Sequence, residues 1–312
     1  ALPICQARQL VLTGPLAGDF ETVAQALLQV ARGDVMTRDI TLGAIRRALL
    51  ELIIHFPVYR TYIAASGRRK ADEPFFQQAL EGAKTTLGEA DWPLLEHLQR
   101  WLGGESLRQL PRHLRKIRRY ACTRFQQLTS PAAAKAVEDT ACYRSGILLS
   151  RNDVGFDPQH FSAPAQAFHD ECLQRVEHFP RNLLTTATHD HKRGEDTRAR
   201  IAVLSERADW FAGKVRHWRE LAAGQIRQLD DGAAPSPADE LMLFQILLGS
   251  WPLDLQADDR PAMEQYSARI LQWQEKALRE AKLRTTWSDP NGDYEGACRQ
   301  YVEHLLLAAE GA

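Results

Sequence analysis

Leu183-Leu184-Thr185-Thr186-Ala187-Thr188-His189-Asp190-His191-Lys192-Arg193-Gly194-Glu195-Asp196-Thr197-Arg198-Ala199-Arg200 is the stretch on which the reading of the fold turns. Its first part, Leu183 to Thr188, is short and rich in β-branched and small residues, which reads as a strand. Six ionisable groups then occupy the seven positions from His189 to Glu195, Gly194 being the exception. Amphipathic helical spacing begins near Glu195. A strand that ends in dense charge before a helix is how α/β enzymes build sites. Strand ends hold side chains firmly, and the loops beyond them supply chemical variety.

Outward from this stretch the apolar pattern is mostly helical. Phe20, Val23, Ala24, Leu27, Val30 and Ala31 repeat at helical spacing, as do Leu42, Ile45, Leu49, Leu52 and Ile53 between a cap at Thr41 and a stop at Pro57. Asp72 with Pro74 opens another helix, and a further one runs from Asp91 to Leu102, ended by Gly103-Gly104. Ser130-Pro131 reads as an N-cap followed by a first-position proline. Helices are also expected over Pro164 to Glu177, Glu195 to Gln228 with one break, Ser236 to Leu248 ended by Gly249, Glu264 to Leu283, and Asp293 to Ala309. Gly232 to Pro237 is the clearest loop. Only Val58 to Ile63, Arg124 to Leu128 and Leu183 to Thr188 carry strand signals, all short.

Composition sets broad bounds. The 312 residues could fill one large or two ordinary domains, and 44% hydrophobic with 25% charged residues exclude a disordered chain. A formal net charge of −1 gives no global basic field for nucleic acid or an anionic membrane. No apolar run is long enough for a transmembrane helix, and the first residues, from Ala1 to Cys5, do not read as a signal peptide. Cys5, Cys122, Cys142, Cys172 and Cys298 are odd in number and scattered, which reads as reduced thiols in a cytoplasmic protein rather than a disulfide frame or zinc site.

Several segments together resemble one family. Thr188 to Arg200 is similar to the Thr-His-Asp-Thr-Lys-Arg-Ser-Glu-Asp-Val-Arg-Ala-Arg wording of the maltooligosyl trehalose synthases, members of the α-amylase superfamily, departing at His191, Gly194 and Thr197. Phe56-Pro57-Val58-Tyr59-Arg60-Thr61-Tyr62 resembles a second segment. Arg124 to Thr129 with Pro131, and Ala134 to Arg144, resemble a third and fourth, with Ala136 for a glycine and Cys142 for a phenylalanine. Asn152-Asp153-Val154-Gly155 with Asp157-Pro158 echoes "NEVGGDP", and Trp287 to Asn291 with Tyr294-Glu295 echoes "WINPNEAYE".

The resemblance implies an intramolecular transglucosylase that turns the terminal α-1,4 link of a maltooligosaccharide into an α,α-1,1 link, with no cofactor. Such retaining chemistry needs a nucleophilic carboxylate and a carboxylic acid. No counterpart of the family's nucleophile segment (Arg-x-Asp-His) or of its acid segment occurs in this sequence. The expectation is therefore an internal piece of the synthase, inactive by itself. Its fold should be mainly α: a helical insertion region over residues 1–123, a partial (β/α)8-barrel segment carrying strands six and seven over 124–205, and a helical region over 206–312. A free-standing all-α module that binds carbohydrate or protein without catalysis is the alternative.

By the same resemblance, Asp190 acts on the sugar at the cleavage point, stabilising positive charge as it develops on the ring. His189 would bond the same sugar's hydroxyls. A plainer reading makes Asp190 a cap of the following helix. Lys192 and Arg193 would face the cleft, or else be a solvated charge run. Lys135, Glu138 and Asp139 share one helix face by spacing; they would lie near the acceptor sugar, or form a surface ion cluster. His189 and His191 flanking Asp190 suggest metal, but no third or fourth ligand converges on them, and neighbours on a strand point to opposite faces. No metal is expected. Arg112, Arg115, Lys116, Arg118 and Arg119 could suit nucleic acid; with Leu114 and Ile117 interleaved they read as a solvated helix face, and no nucleic-acid or membrane partner is expected. Trp287 is the one tryptophan placed for stacking on a sugar.

Overall fold

A computed structural model describes residues 4–156 and 160–308. It is 67% helical with 3% strand, so the chain is mainly α. The chain divides into two compact units, one ending at Asp139 and the other starting at Thr140.

In the first unit, α1 (Ile4–Thr13), α2 (Ala17–Arg32), α3 (Leu42–Ile54), α4 (Glu73–Lys84), α5 (Trp92–Gln99) and α6 (Arg112–Val137) enclose one core. Helix α3 shows why these residues fold as they do. Thr41 accepts a hydrogen bond from the Ala44 amide at 3.2 Å, satisfying one of the N–H groups a helix start leaves over. Ile45, Leu49, Leu52 and Ile53 then fall on one face and are buried. Asp72 does not cap α4 through its side chain; its carboxylate accepts from the Tyr62 amide at 2.8 Å instead. After α5 a π-turn closes on Gly103, whose φ of 105° suits glycine, so this helix ends where the Gly-Gly pair predicts.

Helix α6 overturns two expectations. Arg124 to Leu128 is not a strand but lies inside its 26 residues, and the helix runs unbroken past residue 123. Ala121, Phe125, Leu128 and Ala132 recur at helical spacing and are all buried, and that burial outweighs the β-like look of the short segment. Pro131 lies within the helix rather than opening one. A proline there removes one backbone bond, at a cost of ~3 kcal/mol, which buried Ala132, Ala133 and Ala136 offset by packing. Val58 to Ile63 gives no strand of its own; only Ile63–Ala64 (β1) pairs, antiparallel, with Gly67–Arg68 (β2).

The second unit holds α7 (Ala165–His178), α8 (Glu195–Ala202), α9 (Ala208–Leu221), α10 (Pro237–Ser250), α11 (Arg260–Ala281) and α12 (Gly292–Leu307), with a 3-10 turn between α8 and α9. The expected Glu195 to Gln228 helix is two helices, and Gln228 belongs to a hairpin of β3 (Arg227–Leu229) with β4 (Gly232–Ala234). That hairpin replaces the first half of the expected Gly232 to Pro237 loop. Ser236, Asp259 and Asn291 cap α10, α11 and α12 through their side chains. Ala309 lies outside the described residues. Leu183 to Thr188, expected as a strand, is irregular backbone. A lone strand leaves its N–H and C=O groups without partners, and no described strand runs beside it.

Gly249 lies inside α10 rather than ending it. A Cβ there would meet Cγ1 of buried Ile201, on α8, at 2.7 Å. Gly249→Ala should therefore lower the melting temperature. The overlap costs about 1–3 kcal/mol, more than the ~1 kcal/mol by which alanine favours a helix. A rise in melting temperature would mean that α8 and α10 do not approach this closely.

Candidate active site

The segment before α8 folds back on the first turn of that helix. Thr186 Oγ1 donates to Glu195 Oε1 at 3.2 Å, and the Arg198 guanidinium donates to the Thr186 carbonyl. Its own backbone amide, then Thr186, holds the Glu195 carboxyl below its ordinary value. Arg200, two residues from Arg198 and so on another face, donates to the Trp251 carbonyl at 2.7 Å.

Between Thr188 and His191 the chain makes a tight turn. The Thr188 amide donates to His191 Nδ1 at 2.9 Å, and the His191 amide donates back to the Thr188 carbonyl at 3.3 Å. His189 and Asp190 occupy the tip and are exposed. They are a turn and not a strand end, so the alternation of a strand does not govern where they point. The residue capping α8 is Gly194, with no side-chain bond, so Asp190 is not the helix cap. The Lys192 ammonium lies 3.2 Å from Asp190 Oδ1; the Asp190 side chain is 55% exposed while that of Lys192 is nearly covered.

Arg193 does not face solvent. It is 7% exposed, donates to the Asn152 carbonyl at 2.9 Å, and burial lowers its pKa. Asn152 in turn donates to the Cys142 and Ser145 carbonyls at 2.8 and 2.6 Å. Asp153 Oδ1 accepts from the Lys192 amide at 2.9 Å. The segments around Tyr143, Asn152 and Arg193 thus converge beneath the Asp190 turn. Asp157 and Pro158, also part of the family resemblance, lie outside the described residues.

Lys135, Glu138 and Asp139 belong to the other unit. Lys135 Nζ and Asp139 Oδ2 pair at 2.7 Å, but Glu138 follows the last residue of α6 and is 3% exposed, its carboxylate taking the Tyr59 hydroxyl. The surface triplet expected from spacing is therefore one surface pair and one buried acid. Ile63 also donates to Gln126 Oε1 at 2.9 Å, so the Phe56 to Tyr62 and Arg124 to Asp139 segments meet.

Spacing did not single out Asp153, Asn152 or Tyr59. The available signal is their place inside segments of family resemblance: a polar pair shortly before Gly155, and a tyrosine directly after Phe56-Pro57-Val58. Of the basic run on α6, Arg118 is buried against Glu105 at 3.3 Å and Arg115 donates to the Leu110 carbonyl at 2.7 Å, which leaves less free charge than the sequence suggests. The Arg279 guanidinium lies 5.0 Å from the ring centroid of Trp287. Among the described residues no helix is long and apolar enough to cross a membrane, and no group of three or more His, Cys, Asp or Glu could hold a metal.

No protein-family model matches the chain. It is 36% identical over 192 residues, 60% of its length, to a Mycobacterium tuberculosis protein named "Putative maltooligosyl trehalose synthase". The chain spans only 23% of that relative's length. The solved maltooligosyltrehalose synthase of Arthrobacter ramosus superposes with a TM-score of 0.72 at 26% identity, over 99% of this chain and 34% of that one. A structure titled as a hypothetical maltooligosyl trehalose synthase of Sulfolobus tokodaii gives a TM-score of 0.69 at 23% identity over 99% of this chain and 35% of that one, a likeness of fold.

Proposed function

We propose that this chain, a relative of one segment of the maltooligosyl trehalose synthases, forms part of an intramolecular transglucosylase acting on maltooligosaccharides. The observation that carries the reading is the Asp190 turn. It offers an exposed carboxylate held against the Lys192 ammonium, over a buried frame built from the segments that resemble the family.

In this reading the terminal α-1,4 link is broken through a covalent glucosyl-enzyme and remade as an α,α-1,1 link. The nucleophile and the acid come from sequence outside these 312 residues. As the bond breaks, positive charge gathers on the sugar ring, and the Asp190 carboxylate stabilises it only as it develops. His189 bonds the ring hydroxyls. Lys192 holds the Asp190 carboxylate in place, and Arg193 supports the turn from below instead of meeting sugar. The freed glucose must turn and attack before water does, which needs a water-poor pocket. No cofactor takes part, and the enzyme works in the cytoplasm.

The test is incubation with maltopentaose. The full-length protein should yield a product without a reducing end, and the 312-residue chain by itself should yield none. A single carboxylate of the three cannot form and resolve a glycosyl-enzyme. Release of a non-reducing sugar by the isolated chain would overturn the reading, as would an inactive full-length protein.

A further inference from the structure

We propose that Asp153 is the positioning residue of the His189–Asp190 turn: its buried carboxylate fixes the backbone at Lys192, and Lys192 in turn holds the Asp190 carboxylate. The inference rests on the reading that Asp190 acts on the sugar.

Asp153 is 2% exposed, so it meets no substrate and is not a catalytic group. Its Oδ1 accepts two backbone amides, Val154 at 2.8 Å and Lys192 at 2.9 Å, while Oδ2 is buried without a hydrogen-bond partner. A buried carboxylate is costly unless positive charge lies near it, and buried Arg193 supplies that charge. Two successive residues are thereby tied to two successive residues: Lys192 to Asp153, and Arg193 to Asn152, across 39 and 41 positions of sequence. One such bond would leave the chain free to pivot. Two adjacent ones set its direction as well as its place.

Beyond this anchor the turn is closed on itself by the bonds between Thr188 and His191, which fix its shape but not its place on the frame. Asp190 has the Lys192 ammonium at 3.2 Å and, through its amide, a long 3.4 Å bond to Thr188 Oγ1. The Lys192 side chain is 4% exposed, so the ammonium reaches Asp190 along a confined path that starts at the clamped backbone. Where the Lys192 backbone goes, the Asp190 carboxylate follows.

Two variants of the full-length protein separate an acceptor that positions from a charge that merely neutralises Arg193. Asp153→Asn loses the charge, but its Oδ1 can still accept both amides. Asp153→Ala loses the acceptor. For positioning, Asp153→Ala should lower kcat on maltopentaose by about 10- to 100-fold with KM changed less than about threefold, since a misplacement of roughly 1 Å costs up to that much. Asp153→Asn should recover most of the loss. Hydrogen exchange of the peptide spanning 186–193 should quicken in Asp153→Ala and stay near wild type in Asp153→Asn. If the alanine variant does not fold, Asp153→Ser, small and polar but too short to reach the Lys192 amide, carries the same expectation.

The proposal falls if the folded alanine or serine variant keeps wild-type kcat, or if both variants melt early with equal kcat, as charge neutralisation alone predicts. The exchange result reads the anchor whether or not the protein acts on glucan. An inactive wild type would count against the synthase reading, and unchanged exchange against the anchor.

Discussion

Asp190→Asn in the full-length protein should lower kcat on maltopentaose by about 10²- to 10³-fold, the scale seen when one preorganised electrostatic partner is lost. The change keeps size and an oxygen for Lys192 to donate to, and removes only the negative charge. The ground-state sugar is neutral, so KM should move far less than kcat. Stability should barely respond. The Asp190–Lys192 pair is half in solvent on the Asp190 side, where such pairs contribute roughly 0–1 kcal/mol. A helix-capping Asp190 would also have left stability nearly unchanged, since asparagine caps well, but it would have left kcat unchanged too. The placement of Gly194 at the start of α8 removes that alternative on geometry. Steady-state kinetics with a melting curve on the one variant tests both halves, and near-wild-type turnover would sink the assignment.

Helices were legible where a cap, a 3.6-residue apolar repeat and a stop all agreed, as over Thr41 to Pro57 and from Ser236. A single local signal without its context misleads. Pro131 looks like a helix start, yet the buried run from Ala121 to Ala136 carries the helix through it. Leu183 to Thr188 has strand composition, but a strand is a property of its neighbours. Here its leucines stand in solvent, Leu183 at 94%, and α7 before it buries no residue. The candidate site was legible as a charge cluster followed by a helix. What sequence could not rank was depth: Lys192, Arg193 and Asp190 are close together in sequence, yet one is buried against a carbonyl, one is nearly covered and one is half in water. That ordering comes from Asn152 and Asp153, about forty positions upstream. Glu138 shows the same limit, since helical spacing with Lys135 and Asp139 says nothing of the Tyr59 hydroxyl that covers it.

Phe125→Ala is expected to destabilise the unit that ends at Asp139 by about 3–5 kcal/mol, the range for removing a fully buried phenylalanine. Phe125 is buried, its ring 5.5 Å from that of Phe56 at 90° and 6.1 Å from that of Phe76; Phe56 and Phe76 meet edge to face at 5.9 Å. Each ring closes a side of the others, so deletion of one leaves a void that backbone on three separate segments would have to move to fill. Phe125→Leu retains much of the volume and should cost markedly less. The reading of the segment as helix makes a second demand. Adjacent strand residues face opposite sides, whereas Phe125 and Gln126 are both buried, and Gln126 uses its amide on the Ile63 N–H and the Cys122 carbonyl four residues back. Hydrogen exchange should therefore show α3, α4 and α6 opening together in Phe125→Ala. Peptides from the other unit should keep wild-type protection if the two units hold separate cores. Loss confined to the residues flanking Phe125, with α3 and α4 untouched, would mean that the three rings do not form one core.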